Sequence, residues 1–165
     1  MLTLRRAKSI GFTLMEVLLV ITLIGMIAAF AIPSYQSFYE KQNAELTKMQ
    51  LLRAIEFARS SALIQQEPVT LCGSSDLETC SGQWEKCLLI KTKNKILFSF
   101  QSPALKGKIQ WRAFPNLKPD LIFLADGFSA TENGTFNYYE KNSPNPLWAI
   151  SINQAGRAHV TVTQV

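Results

Sequence analysis

A long apolar stretch, residues 12–32, constrains this chain more than any other feature. As an α-helix it would be about 31 Å long, close to the ~30 Å hydrocarbon layer of a membrane. Glu16 lies inside it, where a carboxylate at the centre of a membrane helix would cost about 2.5–3.5 kcal/mol. Positive charge before the stretch predicts a cytoplasmic N-terminus and export of everything after residue 32. Its source is three basic residues: Arg5, Arg6 and Lys8.

Two ordinary explanations of this N-terminus are a cleaved secretory signal peptide and a plain membrane anchor. A basic start, an apolar middle and the pair Ala29 and Ala31 are typical of a signal peptide. Against it, the apolar stretch is long for a signal core, and the helical pattern continues beyond Ala31. Glu16 is unexpected under both explanations.

Residues 34–67 have the pattern of an amphipathic helix, which Pro68 would end. Pro33 separates this helix from the apolar stretch, but a proline inside a helix can kink it without ending it. We therefore predict one continuous helix. Its first half is apolar, and its second half packs on a folded domain. Apolar residues recur at helical spacing along that second half: Leu46, Met49, Leu52, Ile55, Ala58 and Ala62.

The rest of the chain has the pattern of short β-strands separated by turn residues. Fold class is therefore predicted as α+β, with a long N-terminal helix, transmembrane and then amphipathic, packed against antiparallel β-sheets. Eight runs rich in β-branched and aromatic residues carry this prediction: 69–72, 87–92, 96–100, 109–114, 121–124, 135–139, 147–152 and 159–163.

The three cysteines would lie in an oxidising compartment if the domain is exported. Cys72 and Cys80 enclose a short polar loop and could pair. Cys87 is left over in the apolar run "CLLI", and we interpret it as a buried small residue.

The residues that catalysis or metal binding requires do not occur in a recognisable arrangement. His159 is the only histidine, and the cysteines lack the spacing of a zinc site. No Ser/His/Asp arrangement or phosphate-binding glycine loop can be argued. We therefore expect no catalytic residues, no metal and no cofactor, which disfavours a secreted enzyme.

Basic residues are concentrated between positions 86 and 118, where no acidic residue occurs. Such a cluster could attract phosphate groups, or it could be a solvated strand face with lysines that protect a sheet edge. Its members are Lys86, Lys91, Lys93, Lys95, Lys106, Lys108, Arg112 and Lys118.

The segment "KSIGFTLMEVLLVITLIGMIAAFAIPSY" resembles the N-terminus of type IV prepilins. The resemblance implies that a prepilin peptidase cuts between Gly11 and Phe12 and methylates the new amino terminus on Phe12. Glu16 is then the fifth mature residue, and Pro33 is the proline near the far end of the anchor. In a filament, Glu16 would lie near a neighbour's α-amino group, and breaking such a buried pair costs roughly 3–5 kcal/mol.

Residues 57–160 resemble, more weakly, the GspH/FimT group of minor pilins and pseudopilins. The resemblance rests on "ARSSALIQQEPVTLC", a tryptophan before "CLLI", "ADGFSATENGTFNYY" and "ISINQAGRAHV". It implies two facing β-sheets beside the helix. It also suggests a Cys72–Cys80 disulfide, because FimT-like chains often carry a cysteine pair there. Relatives often have tryptophan where this chain has Cys87, which supports a packing role for that residue.

FimT-like minor pilins of naturally transformable bacteria bind DNA through a C-terminal pattern of glycine, arginine, any residue and arginine. Gly156 and Arg157 match this pattern, whereas His159 replaces the second arginine and is mostly neutral at pH 7. The resemblance makes double-stranded DNA a candidate partner. Its candidate contacts are Arg157, His159, Lys91, Lys93, Lys95, Lys106, Lys108 and Arg112.

These patterns divide the chain into a leader at 1–11, a transmembrane and filament-core helix at 12–33, and a periplasmic domain at 34–165. The predicted protein is a single-pass inner-membrane minor pilin, extracellular once assembled near the tip of a pilus. Its predicted partners are the prepilin peptidase, other major and minor pilins, and DNA. The alternative is a structural pseudopilin of a type II secretion system that does not bind DNA.

Overall fold

A computed structural model describes residues 13–101, 107–115, 118–130, 133–140 and 143–162. Helix α1 (Leu14–Gln65) is continuous through Pro33 and ends three residues before Pro68, as the predicted continuous helix requires. Contacts divide the chain into two compact units, Met1–Tyr39 and Glu40–Val165. The predicted leader lies outside the described residues, as do Gly11 and Phe12.

In the first unit, α1 carries large apolar side chains that are exposed around much of the helix. Phe30, for example, is 81% exposed. Among the described residues, no helix combines the length and apolarity that a membrane span requires. The other exposed apolar residues between positions 14 and 32 are Leu14, Met15, Val17, Leu18, Leu19, Val20, Ile21, Leu23, Ile24, Met26, Ile27 and Ile32.

The second unit contains the rest of α1 and two four-stranded antiparallel sheets, which confirms the predicted α+β class. The strands are β1 (Val69–Ser74), β2 (Cys87–Lys91), β3 (Ile96–Gln101), β4 (Lys108–Phe114), β5 (Leu121–Phe123), β6 (Asn133–Tyr139), β7 (Trp148–Ile152) and β8 (Ala158–Val162). Each of them begins and ends within two residues of a predicted run. Sheet A has the strand order β3-β2-β1-β5, and sheet B has the order β4-β6-β7-β8.

The buried side of α1 agrees with the predicted apolar stripe at Ile55, Ala58 and Ala62 and departs from it at Leu46 and Met49. Leu46 and Met49 are about half exposed, at 51% and 49%. Small residues approach the sheets instead, because a helix with short side chains can lie closer to the strands. The buried positions on α1 are Ala44, Thr47, Leu51, Ala54, Ile55, Ala58, Ser61 and Ala62.

One hydrophobic core joins this face of α1 to both sheets. Val69, Leu71 and Ile90 enter it from sheet A, while Phe136 and Ile150 enter it from sheet B. Strands alternate their side chains between two faces, so the residues between these positions point away from the core. The face of sheet B that points away from the core is called its outer face below.

Candidate functional site

Thr13 caps the start of α1 with its side-chain hydroxyl and its backbone carbonyl oxygen. The backbone N–H of Glu16 donates to Thr13 Oγ1 over 3.2 Å and to the Thr13 carbonyl oxygen over 3.1 Å. Thr13 and Glu16 have the spacing of a capping box, in which a threonine three residues before a glutamate satisfies free N–H groups at a helix start. The sequence analysis did not identify this capping box, although its spacing is visible in the sequence.

Glu16 lies in the first turn of α1, where a negative charge interacts favourably with the positive end of the helix dipole. Its side chain is exposed, and none of the described residues forms an ion pair with it. The carboxylate therefore lies on an apolar helix surface and has no cationic partner among the described residues. The other predicted assembly residue, Pro33, lies within the helix backbone.

A disulfide joins Cys72 to Cys80, as the sequence predicts, with the Cα atoms 5.6 Å apart. Cys87 is free and buried, also as predicted. The loop between the bridged cysteines folds around Asp76, whose carboxylate accepts hydrogen bonds from the backbone N–H groups of Thr79 and Glu78. These bonds, with those from the Thr79 and Ser74 hydroxyls, hold the pKa of Asp76 well below its usual range.

A second carboxylate, that of Asp120, lies against the disulfide, with one oxygen within 4.8 Å of both sulfur atoms. Asp120 Oδ1 is buried and has no hydrogen-bond partner. Burial raises the pKa of Asp120, and the charge of Lys91 offsets part of that effect. The two sulfur atoms are bonded to each other, so Cys72, Cys80 and Asp120 form a disulfide beside a partly buried carboxylate and not a set of free metal ligands.

The C-terminal pattern forms the tight turn between β7 and β8. Gly156 has a φ of +72°, a conformation that glycine adopts at little cost. A Cβ at this position would overlap the carbonyl oxygen of Gly127. Asn153 closes the turn, since its Oδ1 accepts from the backbone N–H of Arg157 over 2.9 Å. The glycine of the pattern therefore has a packing role, and it leaves the Arg157 and His159 side chains exposed.

A further basic residue, Arg59, lies beside this turn, although sequence reasoning missed it. Arg59 Nε donates to the Gly127 carbonyl oxygen over 3.1 Å and lies 3.1 Å from where a Cβ on Gly156 would be. No local pattern marks Arg59, because it belongs to α1 and reaches the turn only through tertiary packing. Asp126, which is exposed, precedes Gly127 and brings one negative charge to the same region.

His159 belongs to a row of residues that crosses the outer face of sheet B. The register pairs His159 with Ser151, Ser151 with Thr135, and Thr135 with Arg112. Strands are ~4.8 Å apart, so Arg112 and His159 are separated by about 14 Å at opposite edges of one sheet. Arg112 and Lys108 are both exposed on β4. The strand residues described on this outer face include no aspartate or glutamate.

The remaining predicted basic contacts do not join this row. Lys91 ends β2 in sheet A and is half-buried, and Lys93 and Lys95 are exposed in the turn before β3. Lys106 lies outside the described residues. The structure therefore divides the predicted basic cluster between the two sheets, with only Lys108 and Arg112 on the same face as His159.

Comparison with known proteins agrees with this architecture. Two crystal structures of the type IV minor pilin FimU from Pseudomonas aeruginosa are similar to the chain. One, in space group P21, has 21% sequence identity and a TM-score of 0.60 over 77% of this chain and 92% of FimU. The other, in space group P65, has 20% identity and a TM-score of 0.57 over 71% of this chain and 91% of FimU.

At this level of identity, the FimU structures establish the shared fold. No curated protein sequence matches the chain significantly. The family model described as Type II transport protein GspH matches residues 48–156, which is more than half of the chain. The chain therefore belongs to the GspH family and has a fold of the minor pilin and pseudopilin type.

Proposed function

We propose that this chain is a minor pilin that is cut between Gly11 and Phe12, methylated on Phe12, and incorporated near the tip of a type IV pilus. It is anchored in the inner membrane by a single segment, with the second unit in the periplasm, and becomes extracellular on assembly. Family membership implies assembly with other pilins. The similarity to FimU, a type IV minor pilin, favours a pilus.

The observation that carries this proposal is the exposed apolar surface of α1 between positions 14 and 32. An exposed apolar surface of this extent requires cover, since scattered single residues are normal but contiguous patches mark interaction sites. Lipid would cover it before assembly, and the apolar helices of neighbouring subunits would cover it in a filament.

Glu16 would determine how neighbouring subunits align along this surface. Cleavage before Phe12 would leave a charged α-amino group next to the helix start, and Glu16 would pair with that of a neighbouring subunit. A buried pair is strongly favoured over one unpaired buried charge. A subunit that lacks the carboxylate would therefore be disfavoured during assembly, although its own domain would fold.

Mass spectrometry and pilus shearing test this proposal together. The intact protein extracted from membranes should have the mass of a chain that begins with N-methylated Phe12, and Gly11→Val should block that processing. Glu16→Gln should remain in the membrane and disappear from sheared filaments, while Glu45→Gln on the exposed part of α1 should assemble normally. A mature chain that begins at Ile32 would identify an ordinary signal peptide and overturn the proposal.

A second function, sequence-independent DNA binding for natural transformation, is favoured by the exposed side chains of Arg157 and His159 at the β7–β8 turn. Arg59 approaches the same turn at Gly156. The outer face of sheet B carries His159 and Arg112 without a carboxylate among its described strand residues. Phosphate contacts of this kind carry no sequence information and weaken with salt, because bound counterions are released. Expected affinity is about 10⁻⁴–10⁻⁶ M at physiological salt.

Titration of labelled duplex DNA with the detergent-solubilised chain tests this function. Arg157→Gln should weaken binding more than Lys86→Gln, since Lys86 lies beside Glu85 in a different loop. His159→Arg should tighten binding by adding a full charge. If the parent does not bind at low salt, or if both Arg157→Gln and His159→Arg have no effect, DNA binding is excluded. The alternative function is then that of a structural pseudopilin in a type II secretion system. Crosslinking in cells, followed by identification of the partner subunits, would distinguish a secretion system from a pilus.

A further inference from the structure

A groove of about 430 Å³ lies between α1 and the β3 edge of sheet A. Phe57 of α1 and Phe98 of β3 form its mouth and are 43% and 52% exposed. Their ring centroids are 5.7 Å apart, and the ring of Phe100 lies 5.5 Å beyond Phe98. Ile90 forms the floor. This groove, called the β3 groove below, therefore exposes a cluster of aromatic rings beside a packed core.

The strand that borders the groove has an open edge. Among the described strands, β3 pairs only with β2, so its backbone N–H and C=O groups on the far side have no strand partner. Proteins commonly protect such an edge with proline, a bulge or charged residues along the strand. Residues 96–101, "ILFSFQ", contain no charged residue and no proline. A bulge at Leu97 interrupts the pairing with β2, but residues 98–101 keep a regular register. The edge from Phe98 to Gln101 can therefore accept another strand.

Polar groups at the groove indicate which side chains a strand added beside β3 would carry. Gln50 Oε1 is buried at the groove wall and has no hydrogen-bond partner. Arg53 lines the same wall, and the described residues form no ion pair with it. Lys93 and Lys95 are exposed in the turn at one end of β3. The groove thus combines an apolar floor, an unused acceptor and one cation, Arg53, with two further cations in the turn before β3.

We propose that the β3 groove binds an extended, acidic segment of another polypeptide, which adds to sheet A as a fifth strand beside β3. Backbone hydrogen bonds to the open edge would hold the segment, as in other cases of strand addition. Its side chains alternate between two faces. Every second one, aromatic or aliphatic, would enter the groove over Phe57 and Phe98, and acidic residues at its ends would face Arg53 and Lys95.

A second copy of this chain fits the groove less well. Its own β3 is the apolar strand it could offer, and residues 93–101 carry Lys93 and Lys95 at one end and no acidic residue. Pairing of two copies along β3 would therefore bring no carboxylate to Arg53 or Lys95 and would leave these cations without a counter-charge. The occupant is therefore a different, acidic polypeptide, and this inference is independent of both the filament and the DNA proposals.

A synthetic peptide with the sequence Asp-Thr-Tyr-Thr-Phe-Thr-Tyr-Thr-Asp, blocked at both ends and fluorescently labelled, is a direct probe. It should bind the detergent-solubilised full chain with saturation and slow the hydrogen exchange of backbone amides in β3. Two forms of the peptide, N-methylated on either set of alternate residues, test for strand addition. One of them should bind at least about tenfold more weakly, because it loses several backbone hydrogen bonds.

Variants of the chain test the groove. Phe98→Asp should weaken binding at least about tenfold, while Phe128→Asp, a matched change at another exposed phenylalanine, should not. Arg53→Gln should weaken binding of the acidic peptide more than it weakens binding of the same peptide with asparagine in place of both aspartates. Phe98 is half exposed, so thermal unfolding should be nearly unchanged in this variant.

Three results would overturn the proposal. Equal binding of both N-methylated peptides would exclude strand addition. Exchange protection away from β3 would place the site elsewhere. A concentration-dependent dimer of the parent chain that Phe98→Asp abolishes would make a second copy the occupant.

Discussion

The indole N–H of Trp148 donates a hydrogen bond to the backbone carbonyl oxygen of Ala44 over 3.1 Å, linking residues 104 positions apart. Trp148 is fully buried, and its ring stacks on Tyr138 with centroids 5.0 Å apart. The bond joins α1 to a central strand of sheet B. It fixes the helix along its own axis, because a slide of even one residue would remove the acceptor.

Trp148→Phe should therefore lower the free energy of unfolding of the second unit by about 1–3 kcal/mol, since it removes a buried hydrogen bond and leaves a gap. Trp111→Phe is a suitable control. Trp111 Nε1 donates to the Lys118 carbonyl oxygen over 3.0 Å, but that bond is exposed and water can replace it. Chemical denaturation of both variants provides the comparison, and an equal loss would contradict the assigned role of Trp148.

Gly156→Ala should destabilise the fold much more than Gly82→Ala. Both glycines have a φ of +72°, so both substitutions impose the same left-handed strain of about 1–2 kcal/mol. Around Gly82 there is open space, whereas a Cβ on residue 156 would overlap the Gly127 carbonyl oxygen. Thermal unfolding of the two variants isolates the effect of close packing, and similar melting temperatures would show that the turn can relax.

Loss of the disulfide should cost roughly 2–3 kcal/mol on the chain-entropy estimate for a loop closed over 8 positions. Denaturation of Cys72→Ser with Cys80→Ser, compared with the parent, measures this difference. Peptide mapping without reduction should find Cys72 bridged to Cys80. Cys87 should resist alkylation until the domain unfolds, because it is buried. Rapid alkylation of Cys87 in the native chain would contradict that packing.

Asp120→Asn should stabilise the domain at neutral pH. Because burial raises the pKa of Asp120 in the folded state, the ionised carboxylate is disfavoured there. The parent should gain stability relative to the variant as pH falls through that raised pKa, and the difference should be constant below the unfolded value of ~3.9. Melting temperatures between pH 3 and 8 test this, and a stabilisation that persists unchanged at pH 3 would show that ionisation is not its cause.

Asp76→Asn should have the opposite sign. Hydrogen bonds from Thr79 and Glu78 lower the pKa of Asp76, so its contribution to stability is present above the unfolded value of ~3.9 and is lost as pH falls further. The variant should be less stable than the parent at neutral pH and should approach it in strong acid. Hydrogen exchange in the loop between the two bridged cysteines would report the change locally.

Local sequence patterns were sufficient for much of this fold. The eight strands follow from short β-branched and aromatic runs between turn residues, and the disulfide follows from two cysteines that flank a polar loop. The face of α1 that is buried was predictable only in part. Ile55, Ala58 and Ala62 were expected to be buried, but only the proximity of the sheets decides that Ala44 and Leu51 are buried while Leu46 and Met49 are not.

The surface row on sheet B could not be predicted either. Arg112 and His159 are far apart in the sequence, and they share a face because of the registers of three strand pairs. Arg59 reaches the β7–β8 turn from α1 for the same kind of reason. Local patterns identify single residues with useful chemistry, whereas tertiary register decides which of them can act together.

Short side chains on the buried face of α1 set how much change this helix can tolerate. Ala44, Ala58 and Ala62 are fully buried where the helix meets the core. Any larger residue at these positions would push the helix away from strands of both sheets at once, and overpacking of this kind typically costs about 1–3 kcal/mol. On the second half of α1, exposed residues can consequently be replaced by residues with longer or differently charged side chains, whereas the buried alanines cannot be replaced by larger residues.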